Sequence, residues 1–269
     1  NAESLAKLGI CQSLGETISG EQKTFQSDSS LGKQESSLSI NINETVLFQH
    51  ITGIEIKETW QEKSDEWFAV AVLNKKKASD YYSSLAKEQG QKIQALITKA
   101  KFSSPSLENA ELANQAYKMA LENQYNLNLL SAIDRAQSQK LSMPYISTAN
   151  LALEAKEIAS SVKVSVSVDG DKNEILKNAL ESALLEKGIS VVSQGESFCI
   201  QGSFSYEQVT SLDSANIFVR YNFASPVIEI ASGSVVKPFN LQGREGHVSK
   251  EEAVNRCITR ICQKIKEEF

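Results

Sequence analysis

His50 and His247 are the only two histidines in this 269-residue chain, and they lie far apart in sequence. A histidine-centred nucleophile relay or metal site needs further partners, and none can be placed beside either one. His50 follows Phe48-Gln49 at the end of an expected strand and reads as a surface or turn residue. His247 sits in Gly243-Arg244-Glu245-Gly246-His247-Val248, immediately before Ser249-Lys250-Glu251-Glu252. The latter is a capping box, which marks the start of a helix. Glycines permit tight turns, and a helix N-terminus offers free amides that can hold an anion. Arg244 and His247 would add positive charge there. Arg244, His247 and Ser249 are therefore the candidate ligand-binding residues. The plainer alternative is a glycine-rich connector whose charges are solvated.

Other chemistry finds little support. The G-x-G-x-x-G and G-x-x-x-x-G-K-[ST] patterns are absent, and so are a G-x-S-x-G elbow and an H-E-x-x-H helix. The carboxylate pairs Glu251-Glu252 and Glu267-Glu268 fall at helix ends, and the run Ser27 to Ser39 is compositional. Four cysteines, Cys11, Cys199, Cys257 and Cys262, show no C-x-x-C spacing. Cys257 and Cys262 point in different directions on one helix, so they are read as buried thiols. A bridge from Cys199 to one of them stays open if the compartment is oxidising. No catalytic residue, metal or cofactor is expected. The formal charge of -5 argues against a nucleic-acid partner, and Lys75 to Lys77 reads as the solvated start of a helix. No apolar run is long enough to cross a membrane. The chain begins at Asn1 with neither methionine nor signal peptide, and Asn1-Ala2-Glu3-Ser4 already reads as a helix opening, so an upstream piece is expected.

The elements that must position these residues follow from hydrophobic periodicity. A hydrophobic content of 41% with 23% charged residues describes a globular protein, and the length suits two domains. Leu5, Leu8 and Cys11 space a short first helix to about Gln12, and Gly15 to Gly32 reads as a wet strand or loop. Leu38, Ile40 and Ile42, then Ile54 and Ile56, alternate as strands. Glu58 to Ala78 reads as a hairpin running into a helix. Within it Trp67 to Leu73 is apolar on both faces, with Phe68, Val70 and Val72 on one and Ala69 and Ala71 on the other. That pattern predicts a central strand with a helix close to the alanines. Trp60 and Trp67 read as core or edge packing.

A helix to about Ala100 ends at Ser103-Ser104-Pro105, and Ser104 is the expected N-cap of a second helix that reaches about Lys140. Ser142-Met143-Pro144 stops it before a short helix from Thr148 to Ser160. Valines alternating from Val162 to Val168 begin the second domain. A helix from Ile175 follows, then strands near 189–192, 198–206, 216–223, 227–230 and 235–241. The last helix is expected to bury Ala253, Val254, Cys257, Ile258, Ile261 and Ile265. The prediction is an α+β protein of two small α/β sandwich domains, with antiparallel or mixed sheets and helices on one face. The domains are residues 1–101 and 161–269, joined by a helical connector, 102–160.

The opening helix AESLAKLGICQSL, the Ser/Thr-rich strands, Gly53-Ile54-Glu55-Ile56 with Trp60, and above all Trp67 to Leu73 running into Lys76 to Ala78 resemble the LPP-twenty family of bacterial outer-membrane lipoproteins. A similar domain occurs in a flagellar assembly protein of the envelope. The second domain resembles the α/β modules of the curli-secretion lipoprotein and of the Tol-system translocation protein. The resemblance implies a periplasmic protein anchored to the outer membrane through a lipidated cysteine upstream of Asn1. It supplies no catalytic residues. The expected function is non-catalytic, through protein–protein interaction or envelope assembly, with other envelope proteins or peptidoglycan as partners. The alternatives are a peptidoglycan- or small-ligand-binding module and a hydrolase with a site near Arg244 and His247.

Overall fold

The structure, a computed structural model, describes residues 2–28, 51–63, 65–102, 104–209 and 217–268, with side chains to residue 18 in the first segment. His50 and the expected strand at Leu38 to Ile42 lie outside the described residues. The chain divides into two compact units, one of residues 1–95 and 116–148, the other of 96–115 and 149–269. The segment expected as a connector is thus shared between the units, because its long helices contribute to both hydrophobic cores.

In the first unit, helix α1 (Ala2–Asp28) runs well past Gln12, through residues expected as strand or loop. Cys11 and Ile18 are buried and Leu14 packs beside them, spacing that continues a helical stripe across the polar stretch. Strands β1 (Ile54–Gln61) and β2 (Trp67–Leu73) form an antiparallel hairpin with a register shift between Ile56 and Glu58. Among the described residues this sheet has two strands. Val70 is exposed, so the expected burial of β2 on both faces is corrected. Ile54 and Leu73 face each other across the pair and join the core of Cys11, Ile18, Ile51, Tyr82 and Leu130. The opposite face is open: Val70 and Trp60 are exposed. Apolar composition on both faces did not mean burial on both, since a hairpin needs only one covered face to fold against helices.

Helices α2 (Lys75–Phe102) and α3 (Leu107–Ile133) follow. The cap of α3 is Ser106, whose hydroxyl accepts the Asn109 amide at 3.1 Å, and not Ser104, whose carbonyl takes the Asn109 side chain. Asp134 breaks the helix expected to reach Lys140 and caps a new one, α4 (Arg135–Lys140), by accepting the Gln137 amide. Fully buried Asn123 ties the chain beyond α4 to α2 and α3, donating to the Ala86 carbonyl and the Tyr145 hydroxyl. Met143 and Pro144 lie over Gly90, where a β-carbon would come within 3.1 Å of both.

The second unit continues with α5 (Thr148–Ser161), β3 (Lys163–Asp169), α6 (Ile175–Glu186), β4 (Ser190–Val191), β5 (Phe198–Val209), β6 (Ile217–Ala224), β7 (Val227–Glu229), β8 (Val235–Lys237), β9 (Asn240–His247) and α7 (Lys250–Glu268). The sheet runs β4-β3-β5-β6-β9, with β7 on the early part of β5 and β8 on β7. Strand β3 pairs in parallel with β4 and β5, and the remaining pairs are antiparallel, so the sheet is mixed as expected. Val164, Ile200, Phe204, Val219 and Phe223 face α6 and α7 through Leu176, Leu180, Cys257, Ile261 and Ile265. The class is α+β.

The start of α6 shows how local chemistry sets an element. Gly170 and Glu174 adopt left-handed φ values of 78° and 55°. The turn they shape brings the Asp171 carboxylate onto the Ile175, Leu176 and Lys177 amides at 3.1, 2.8 and 2.9 Å. Three otherwise orphaned donors are satisfied at once, where an ordinary cap contributes about 1 kcal/mol.

Candidate functional site

The segment Gly243 to His247, expected as a glycine-rich loop before the last helix, is instead the second half of strand β9. Its ladder to β6 pairs Tyr221 with Gly243, Arg220 with Arg244, Phe218 with Gly246 and Ile217 with His247. The glycines serve packing and not turning. A β-carbon on Gly243 would lie 2.6 Å from the Tyr221 hydroxyl oxygen, and one on Gly246 would lie 2.6 Å from the Phe218 ring. Each glycine admits the aromatic side chain opposite it.

Strand alternation then separates the three candidates. Arg244 and His247 stand an odd number of residues apart, so they project from opposite faces of the sheet. Leu241, Gly243, Glu245 and His247 lie on the face toward α7, whereas Asn240, Gln242 and Arg244 are exposed on the other. His247 accepts the Ser249 backbone amide on Nδ1 at 3.2 Å, a local turn at the strand end. The Ser249 carbonyl accepts from Ala253 as α7 begins. Arg256 of α7 donates to the Gly246 carbonyl at 3.3 Å and fastens the strand end to the helix. Ser249 and His247 are thus neighbours, and Arg244 works apart from them.

Arg244 lies with its guanidinium carbon 3.9 Å from the Phe218 ring centroid, a cation–π contact. Directly opposite it, Arg220 is paired with Glu207 at 3.0 Å. This arrangement is invisible in the sequence because Arg220 and Glu207 belong to other strands. A strand period counted through Asn240 to His247 would have separated Arg244 from His247.

The first unit offers two further features. Trp60 stacks on Phe68 across the hairpin, with ring centroids 5.5 Å apart and planes 13° off parallel. Trp67, at the strand end, is 61% exposed. A cleft of about 500 Å³ lies beside α1, lined by Ile10, Leu14, Leu73, Lys75 and Ile133.

The cysteines are free. Cys199 projects from the sheet face away from α7, which carries Cys257 and Cys262, so the open alternative of a bridge is not formed. Burial pushes the Cys257 thiol up to about 11, with Glu245 adding to the effect. An unfolded thiol releases its proton near 9, so the unfolded state ionises first as pH rises. Stability is therefore expected to fall between about pH 9 and pH 11, by on the order of 2–3 kcal/mol. Urea midpoints of the native protein and Cys257→Ala, compared across that window, check this: the variant should show the shallower decline, and parallel slopes would contradict it.

The molecule is thus an α+β protein of two units, an aromatic hairpin on helices and a mixed sheet with helices on one face. No family model matches the chain, and no curated protein matches it. Among solved structures it is similar to a minor lipoprotein from Acinetobacter baumannii, with 14% identity over 39% of this chain and 90% of that one, at a TM-score of 0.29. It is similar to the rare lipoprotein B from Shewanella oneidensis, with 15% identity over 39% and 86%, at 0.28. A longer match is the secreted protein HP1454 from Helicobacter pylori, with 13% identity over 80% of this chain and 77% of that one, at 0.43.

Proposed function

We propose that this protein is a non-catalytic component of a bacterial cell envelope that binds other envelope proteins through the outer face of the β1–β2 hairpin. The supporting observation is the exposure of a contiguous aromatic and aliphatic strip on that face. Trp60, stacked on Phe68, continues into Val70, while exposed Trp67 at the start of β2 belongs by alternation to the opposite face. Exposed apolar strips with a polar surround mark interaction surfaces, and tryptophan is over-represented among residues that dominate binding energy. Glu55 and Glu58 border the strip, and Glu55 is held by Lys77 at 3.2 Å. The sequence resemblance to envelope lipoproteins favours the same reading, with export and a lipid anchor upstream of Asn1. Arg244 and His247 leave the sheet on opposite faces, which does not favour the alternative of a hydrolase site near them.

The test is a photo-crosslinking amino acid at Trp60 or Val70 in the full-length protein in intact cells, with Glu181 of α6 as the control position. Crosslinks from the hairpin to a defined envelope protein, weak or missing from Glu181, are the expected result. Equal capture from both positions, or fractionation of the protein with the cytosol, would overturn the proposal.

A further inference from the structure

Of the 13 glycines in the chain, Gly170 alone follows an aspartate, and none follows an asparagine. An amide nitrogen placed directly after an aspartate can attack that residue's carboxyl carbon and close a cyclic succinimide. Glycine leaves the attacking nitrogen uncrowded, because it has no β-carbon, and lets the chain bend into the ring. The structure adds the geometry. The Asp169 carboxyl folds back onto its own backbone, with Oδ1 accepting the Gly170 amide at 3.0 Å, so the two groups that would join lie side by side. Both residues are exposed, which admits the water that the reaction releases and takes up.

The local fold leaves this point of the chain room to rearrange. Asp169 is the last residue of β3 and stands opposite Ser203 of β5. On its other edge β3 pairs with β4 at Lys163 and Val164, so among the described residues its far end is held from one side. Gly170, at a φ of 78°, then turns the chain out of the sheet.

We propose that the Asp169-Gly170 pair is a self-modification site, at which the folded chain converts Asp169 to isoaspartate and thereby frees the start of α6. The Gly170 nitrogen forms a bond to Cγ of the protonated Asp169 carboxyl and gives up its proton, and the carboxyl hydroxyl leaves as water. A water molecule then adds to the imide at the Asp169 main-chain carbonyl, and the original peptide bond to Gly170 breaks. The chain now runs through the side-chain carboxyl, and the main-chain carboxylate is free. One water is lost and one gained, so no oxidant, metal or co-reactant is needed.

The consequence follows from how tightly the next residues are fitted. The rerouted chain is one methylene longer just ahead of Gly170, where even a β-carbon would collide with the Phe204 carbonyl oxygen. Asp171 follows immediately, and its carboxylate holds the Ile175, Leu176 and Lys177 amides. Displacing Asp171 returns those donors to the orphan state of an uncapped helix end. Leu176 and Leu180 of the same helix are fully buried in the core of the second unit, so the disturbance reaches beyond the turn. The site lies outside the hairpin surface proposed above, and either can fail alone.

The experiment ages the whole chain at physiological temperature in mildly acidic and neutral buffer, then digests it with trypsin. Cleavage after Lys163 and Lys172 releases residues 164–172, whose isoaspartyl form has the same mass and a different retention time. Labelling by an isoaspartyl methyltransferase with a tritiated methyl donor identifies it, and a synthetic peptide of residues 164–172 sets the rate without the fold. Expected is conversion in the whole chain at a rate within roughly tenfold of the peptide, and none at this position in Asp169→Glu, whose larger ring closes far more slowly. In the converted protein, separated by ion exchange, the Ile175, Leu176 and Lys177 amides should exchange with solvent at least tenfold faster than in the unaged protein. A whole chain that stays unconverted while the peptide reacts overturns the site, as does labelling of this segment that persists in Asp169→Glu. Conversion with unchanged exchange at those three amides overturns the release of α6.

Discussion

Replacing Gly170 with alanine should destabilise the second unit by on the order of 4 kcal/mol, the largest effect expected of any glycine substitution here. Two costs add. The residue has φ of 78°, a left-handed conformation that costs an L-residue about 1–2 kcal/mol. The added β-carbon would also collide with the Phe204 carbonyl oxygen and come within 3.2 Å of its carbon. Those are backbone atoms of β5, a strand paired on both sides, and they cannot swing away as a side chain would. Gly195 provides the control. Its φ is 72°, but nothing lies within 4 Å of the position a β-carbon would take. Gly195→Ala should therefore show only the conformational cost, about 1 kcal/mol. Urea denaturation of the two variants separates the terms, and equal losses would show that the contact with Phe204 carries no energy.

Phe223→Ala should cost about 3–5 kcal/mol, through lost transfer energy and the cavity left behind. Phe223 is fully buried on β6, between Phe204 of β5 and Leu241 of β9. It meets Phe239 edge to face, with centroids 6.2 Å apart at 79°. Aromatic pairs of this geometry add about 0.5–1.5 kcal/mol beyond area burial. Relaxation is limited because strands on both sides hold the backbone, so little of the cavity can collapse. Hydrogen exchange is the measurement that localises the effect: the β5, β6 and β9 amides should lose protection together. Loss confined to β6, with its neighbours unchanged, would contradict a shared core.

Both predictions concern a unit whose outline is readable from the chain. Val162 to Val168, the helix from Ile175 and the stripe Ala253, Cys257, Ile261 and Ile265 all lie where the periodicity puts them, because each element buries one face and leaves the other wet. Residues that look to the same core over a few turns write their pattern locally. The first unit is less legible. A helix continues beyond Gln12 because Leu14 and Ile18 find tertiary partners, which no local propensity reveals. Trp67 to Leu73 carries apolar residues on both sides, yet in the structure one side faces α1 and the core while the other is open. Composition made both faces apolar without saying whether anything covers the second.

The candidate site divides in the same way. Arg244, His247 and Ser249, with the helix start after them, could be picked out from residue type and spacing. Residue order places a glycine-containing segment with those charges just before α7, and reads it as a loop. Strand pairing settles the rest: the glycines accommodate Tyr221 and Phe218, and Arg244 stands opposite Arg220 on one face of the sheet while His247 turns to the other. The physical reason is that a strand's alternation is local, but which residues sit across from it is set by register with strands that lie elsewhere in the chain.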